Sequence, residues 1–166
     1  MALDKRFVWT ALSVMFSSPS NRLWEVMRNY ESAEVLYQDL RNGQCAFVNE
    51  REAARMQAFT DNQVWAVMKL CEQRGIMILT YDDELYPERL RNIYCPPAVL
   101  YCRGDVTSLS SKRSVAVIGA RQASDYSMKV AYSYAGVLAK NGVTIISGLA
   151  NGIDAQAHTA AVDKKG

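Results

Sequence analysis

A single histidine and four cysteines without any C-x-x-C spacing leave this 166-residue chain no zinc pattern, because such sites need four Cys or His ligands in short-spaced pairs. Cys45, Cys71, Cys95 and Cys102 therefore read as reduced, structural residues. No run approaches the ~18 consecutive apolar residues of a membrane span. Lys5-Arg6 followed by Phe7 to Phe16 imitates a secretory leader, but Val8, Ala11, Leu12 and Met15 fall at the i, i+3, i+4, i+7 spacing of an amphipathic core helix, and no small-x-small cleavage site follows. The expected compartment is cytoplasmic. Neither G-x-G-x-x-G nor G-x-x-x-x-G-K-[ST] occurs, which sets aside the dinucleotide fingerprint and the ATP-binding P-loop. Internal repeats and low-complexity tracts are absent as well.

An apolar content of 49% is ordinary for a globular chain able to bury a core. The net charge of +2 is small but unevenly placed. Residues 111–166 hold seven Lys/Arg against three Asp/Glu, or +4, and residues 1–110 hold twelve against fourteen, or −2. The basic excess thus sits where a phosphate-binding face would need it.

Residues 1–74 read as a small helical bundle. Leu23, Val26, Met27 and Tyr30 form a second apolar stripe, and a third helix around Ala33 to Leu40 stops near Gly43. Asn49 with Glu52, and Thr60 with Gln63, have the spacing of capping boxes. Val64, Val67, Met68 and Cys71 then supply a core face up to Gly75. Ile76 to Thr80 and Ala98 to Cys102 are strand candidates expected to extend a parallel sheet. The polar run Asp105 to Lys112 is too short, on length, to separate independent domains. The expected division is 1–74 and 75–166.

Two strand–turn–helix units follow. Ser114 to Ile118 is an apolar strand ending in Gly119-Ala-Arg121, before a helix from Asp125 to about Lys140 capped by Asn141-Gly142. Val143 to Ile146 is the next strand, and Ser147-Gly-Leu-Ala-Asn-Gly-Ile-Asp-Ala-Gln-Ala-His158 turns it into an Ala-rich helix from Ile153. The two turns should emerge side by side at the carboxyl ends of parallel strands, with the amides around Gly148 to Gly152 facing outward at a helix N-terminus, an arrangement suited to an anion. The candidate phosphate-binding residues are Gly119, Ala120, Arg121, Ser147, Gly148, Leu149 and Gly152. Arg121 is placed to fork onto the phosphate. Gly148 and Gly152 serve equally for tight turning and close helix–strand packing. Asn151 offers a further polar contact, and Lys129 reads as a solvated surface residue. Tyr126 either stacks on a base or packs beneath the first turn; Tyr132 and Tyr134 suggest core or interface positions. Asp154 and His158, four residues apart, share a helix face; with no nucleophile or metal set beside them they read as a structural contact that steadies the turn.

The ordered set Val115-Ala-Val-Ile-Gly-Ala-Arg121 … Tyr126, then Ser147-Gly-Leu-Ala-x-Gly-Ile-Asp-x-x-Ala-His158, preceded by Tyr86-Pro-Glu-Arg-Leu-Arg-Asn-Ile-Tyr-Cys-Pro-Pro-Ala-Val-Leu-Tyr-Cys-Arg-Gly104, closely resembles the DNA-processing protein A (DprA, or Smf) family. The resemblance implies an α/β fold, with an N-terminal helical module like the sterile-alpha-motif (SAM) or helix-hairpin-helix folds followed by a truncated Rossmann-like parallel sheet. It implies a non-enzymatic, cofactor-free single-stranded DNA-binding protein in which Arg121 contacts the strand. The implied partners are the RecA recombinase, loaded during natural transformation and homologous recombination, and a second copy of the full-length chain. Ser17-Ser-Pro-Ser20 stands where helical hairpins of that kind carry a Gly-x-Gly turn, which favours a protein-contact or spacer role for the module. The family continues for about one more domain, so the sequence is expected to be a fragment with one sheet face and a strand edge uncovered. Two other readings remain: a nucleotide-cleaving Rossmann-like enzyme of the Lonely-guy type, whose Pro-Gly-Gly-x-Gly-Thr loop does not occur in these residues, and a helical protein-interaction module.

Overall fold

The computed structural model describes residues 4–164. Contacts divide the chain into two compact units, Met1–Ser110 and Ser111–Gly166.

The first unit opens with five helices: α1 (Lys5–Met15), α2 (Asn21–Met27), α3 (Ala33–Asn42), α4 (Glu50–Gln57) and α5 (Asp61–Gln73). The Asp4 carboxylate caps α1 by accepting from the Arg6 amide. The spacing of Val8, Ala11, Leu12 and Met15 brings all four into the core, beside Phe7 and Trp9. Gly43, in the left-handed region at φ 70°, ends α3. Asn49 and Glu52 form the expected capping box at α4, and the Arg22 guanidinium grips the same Glu52 with two bonds of 2.9 Å, tying α2 to α4. Arg22, with the Asn49 amide, holds the Glu52 carboxyl below its usual range. Thr60 does not form the second box: its side chain makes no cap bond, and the Gln63 amide takes the Thr60 carbonyl instead.

Strands β1 (Met77–Thr80) and β2 (Val99–Cys102), joined through the single helical turn α6 (Glu88–Arg91), pair with each other in antiparallel fashion, Met77 opposite Cys102 and Thr80 opposite Val99. They form a separate two-stranded sheet and do not extend a parallel one. The reason lies in the connection. A parallel neighbour requires a crossover, usually a packed helix, whereas here the chain folds back on itself. The Tyr81 amide donates to Ala98 O at 3.0 Å, the Tyr86 hydroxyl to Pro97 O at 2.7 Å, and Arg91 donates to the carbonyls of Tyr81 and Asp83. This loop is stitched to the helices by indole donors, Trp9 Nε1 to Asp82 at 2.9 Å and Trp24 Nε1 to Pro96 O at 2.8 Å. Ile78, Ala98 and Val99 consequently share one core with α1 to α5. The compact unit therefore closes after Ser110, not at residue 74, and the short polar run Asp105 to Lys112 does mark its edge.

The second unit is a parallel β–α–β–α arrangement: β3 (Ser114–Ala116), α7 (Asp125–Lys140), β4 (Thr144–Ile146) and α8 (Ile153–Asp163). Ser114 pairs with Thr144, Val115 with Ile145 and Ala116 with Ile146. Ser124 caps α7, and Gly142 at φ 72° reverses the chain after it. Ala131, Ala135, Gly136 and Ala139 of α7 are buried, as are Ala157 and Ala160 of α8. Such small residues let two helix backbones approach closely. Val117 and Ile145 pack on this helix side. By strand alternation Ala116, Ile118 and Ile146 face the other way, and Ile118 and Ile146 are 77% and 52% exposed. Among the described residues no helix is long and apolar enough to cross a membrane, and no His/Cys/Asp/Glu group has the makings of a metal site.

Candidate nucleic-acid interface

The two turns leave the carboxyl ends of β3 and β4, as parallel register demands. One further ladder bond, Val117 N–H to Ile146 O at 2.9 Å, carries the pairing past β3, and the Ser147 hydroxyl closes it by donating to Val117 O at 2.6 Å. Ser147 thus joins the strands, with its hydroxyl proton committed to Val117 O. Beyond it the turns are bound to each other through α8. The Asp154 carboxylate accepts from the Gly119 amide at 3.3 Å through Oδ1 and from the Gly148 amide at 3.0 Å through Oδ2. The Ile153 amide donates to Ala120 O at 3.3 Å.

Each glycine is required by what lies over it. A Cβ on Gly119 would come within 2.6 Å of the Ile153 side chain, and one on Gly148 within 2.9 Å of Asp154 Oδ2. One on Gly152, at φ 83° and ψ −127°, would overlap the carbonyl oxygens of Ala120 and Arg121. Close packing is therefore a demonstrated use of all three.

The structure revises two expectations. Gly148 does not point its amide outward, because the carboxylate of Asp154, favoured by the helix dipole in the first turn of α8, has taken it. No Asp154–His158 hydrogen bond forms among the described residues: two fixed amides match the two carboxylate oxygens, and His158 Nε2 is left buried without a hydrogen-bond partner. The i, i+4 spacing suggested the wrong partner. The Gly-x-x-x-Gly-x-Asp order, which sets a carboxylate just inside a helix that follows a glycine turn, was the signal for the right one.

Arg121 and Ala120 are exposed, and the Arg121 guanidinium has no protein partner among the described residues. Leu149 is held at φ 55° with its side chain 79% exposed, and the amides of Leu149 and Asn151 donate to no protein acceptor among the described residues. Tyr126 does not pack beneath the turn: it is 78% exposed. Tyr132 is partly packed and bonds Asp163 at 2.7 Å, whereas Tyr134 is 69% exposed and no core residue. Lys129 is exposed, as expected of a surface lysine.

Two parallel strand–turn–helix units with glycine turns at their carboxyl ends are the beginning of a Rossmann-like sheet. Within that class the chain belongs to the DNA recombination-mediator protein A family, whose model matches residues 77–166. It is similar to the DNA processing protein DprA of Bacillus subtilis, at 36% identity over 100 residues, covering 60% of this chain and 34% of that protein. Protein Smf of Escherichia coli is 34% identical over 116 residues, covering 70% of this chain and 31% of the relative. The chain thus spans about a third of the length of these curated relatives. The crystal structure of DNA processing protein A from Streptococcus pneumoniae superposes on all of this chain and 56% of its own with a TM-score of 0.71, and at 24% identity it bears on the fold alone.

Proposed function

We propose that residues 111–166 supply part of a single-stranded DNA-binding surface in a protein that works without catalysis or cofactor. The observation that carries this reading is the Arg121 guanidinium, exposed and without a protein partner among the described residues, on a turn whose backbone is fixed by α8. A preorganised arginine on a glycine turn suits a phosphate group, and a phosphate contact positions a strand without reading its bases. The amides of Leu149 and Asn151, without a protein acceptor among the described residues, are additional donors on the second turn, while Gly119, Ala120, Ser147, Gly148 and Gly152 build the platform. Binding rather than hydrolysis is supported by Asp154, whose two oxygens are both engaged by amides and which has no nucleophile at hand. Family membership and the names of the relatives support a place in DNA processing and recombination. On that basis the protein binds incoming single strands as a homodimer and helps load RecA in the cytoplasm during natural transformation.

Fluorescence anisotropy with single- and double-stranded oligonucleotides across salt concentrations tests the reading. The expected result is preference for the single strand, with Arg121→Ala lowering the salt slope by about 0.7, the value of one lost single-strand phosphate contact. Equal or better binding to duplex, or an unchanged slope, overturns it.

A further inference from the structure

We infer that Asp154 is a positioning residue for Arg121: its carboxylate is the resident anion of a site formed by the Gly119 and Gly148 amides, and it holds the two turns in register. This rests on the proposed role of Arg121 in binding a DNA strand.

Three observations converge. The two amides come from turns that are 35 and 6 residues away from Asp154 in sequence, and each meets a different carboxylate oxygen. Asp154 is only 6% exposed and has no cationic partner among the described residues, so the amides and the first turn of α8 are what compensate its charge. Gly148 has no room for a Cβ because Asp154 Oδ2 occupies that space. The turn sequence is thus fitted to the carboxylate as well as the reverse.

Arg121 follows two residues after the bonded Gly119. Its turn is held at three points: Gly119 N–H on Asp154, Ala120 O on the Ile153 amide, and the carbonyls of Ala120 and Arg121 against Gly152. Removing the carboxylate frees the first point and takes from the Gly119 and Gly148 amides their part-buried acceptor, which loosens the backbone that aims the guanidinium. A DNA phosphate cannot use the Gly119 and Gly148 amides while Asp154 holds them, so the strand is left with Arg121 and those turn amides, Leu149 and Asn151 among them, that have no protein acceptor among the described residues.

The test is anion rescue in Asp154→Ala, using the full chain. Amide exchange at Gly119 and Gly148 is followed by NMR, and oligonucleotide affinity by anisotropy. Sodium formate, which is the size of the lost carboxylate, is compared with sodium pivalate of equal charge and greater bulk. The expected result is ~10-fold faster exchange at both amides and ~10-fold weaker single-strand binding, the scale of a lost charge-assisted hydrogen bond. Formate restores both, and pivalate restores neither.

Amides that stay protected, or formate that acts no better than pivalate, overturn the anion site. Amides that open and are rescued while affinity is unchanged overturn the positioning role alone, and the Arg121→Ala salt slope then decides separately whether the DNA reading survives. A wild-type chain that binds no strand overturns the DNA reading and the positioning role with it, while amide exchange still decides the anion site. Should Asp154→Ala not fold, Asp154→Asn serves. Its single carbonyl oxygen can accept from one amide only while its NH2 faces the other, so one of the two glycines loses protection; retention of both overturns the inference.

Discussion

Replacing Gly152 by alanine should disable the second unit far more than replacing Gly142, although both glycines lie at positive φ. At Gly142 (φ 72°) an added Cβ meets nothing within 4 Å. The cost there is backbone strain alone, about 1 kcal/mol. At Gly152 the backbone sits at φ 83° and ψ −127°, a region essentially reserved for glycine, where another residue costs about 1–3 kcal/mol. The Cβ would also overlap the Ala120 and Arg121 carbonyl oxygens, and these are backbone atoms that cannot rotate aside. Overpacking of this kind adds about 1–3 kcal/mol. The expected total is about 2–6 kcal/mol, a large share of what a small domain possesses. Hydrogen exchange by mass spectrometry on peptides from residues 111–166 reads the effect directly. At roughly tenfold per 1.4 kcal/mol, protection in α8 should fall by about thirtyfold or more in Gly152→Ala and about fivefold in Gly142→Ala. Equal losses in the two variants would show that the Arg121 turn does not lie over Gly152, and the account of how Arg121 is aimed would fail with it.

In the first unit, Asn49→Ala should cost about 1 kcal/mol by urea denaturation, whereas Thr60→Ala, with no side-chain cap bond to lose, should cost little. Trp9→Phe should cost about 1–2 kcal/mol, since it removes the buried indole and its bond to Asp82. Burial first of all pushes the Tyr37 and Tyr86 hydroxyls up to about 12 from the ordinary 10. The folded state then holds protons that the unfolded chain releases, so their contribution is complete below pH 10 and is lost as pH rises towards 12; alkaline denaturation should be delayed or weakened in Tyr86→Phe. Glu52 acts in the opposite sense. With its carboxyl held low by Arg22, its stabilisation is present above its ordinary value of 4.5 and is lost as pH falls below that through the lowered value, so Glu52→Gln should flatten the acid limb of a stability profile.

Elements whose ends are marked by local chemistry were legible in the sequence. Ser124 and Asn141-Gly142 bracket α7 at the expected Asp125–Lys140, the Gly152–Ile153 step starts α8 as expected, and Asn49 with Glu52 caps α4. The parallel β3–β4 pairing followed from the handedness of consecutive strand–turn–helix units. The partner of β1 was not legible, because an apolar run declares that it is a strand without declaring whose edge it meets; the decision lay with Arg91, Tyr86 and two indole donors in distant segments. The candidate site shows the same divide. Arg121 and the glycines stood out by type and spacing, but the acceptor for the turn amides is settled by which oxygens fit between two turns separated by a whole helix.

The indoles that stitch the first unit together have an optical consequence. All three tryptophans of the chain, Trp9, Trp24 and Trp65, belong to residues 1–110, and residues 111–166 contain none. Indole emission therefore reports on the helical unit alone. Trp9, 2% exposed, contributes a component shielded from soluble quenchers, and Trp65, 53% exposed, one that is open to them. A ligand bound only at the Arg121 turns has no indole beside it in its own unit to quench directly, so a change in tryptophan emission on adding an oligonucleotide would mean that the first unit senses the strand. A tryptophan placed at Tyr126, already 78% exposed at the start of α7, would give the second unit a signal of its own.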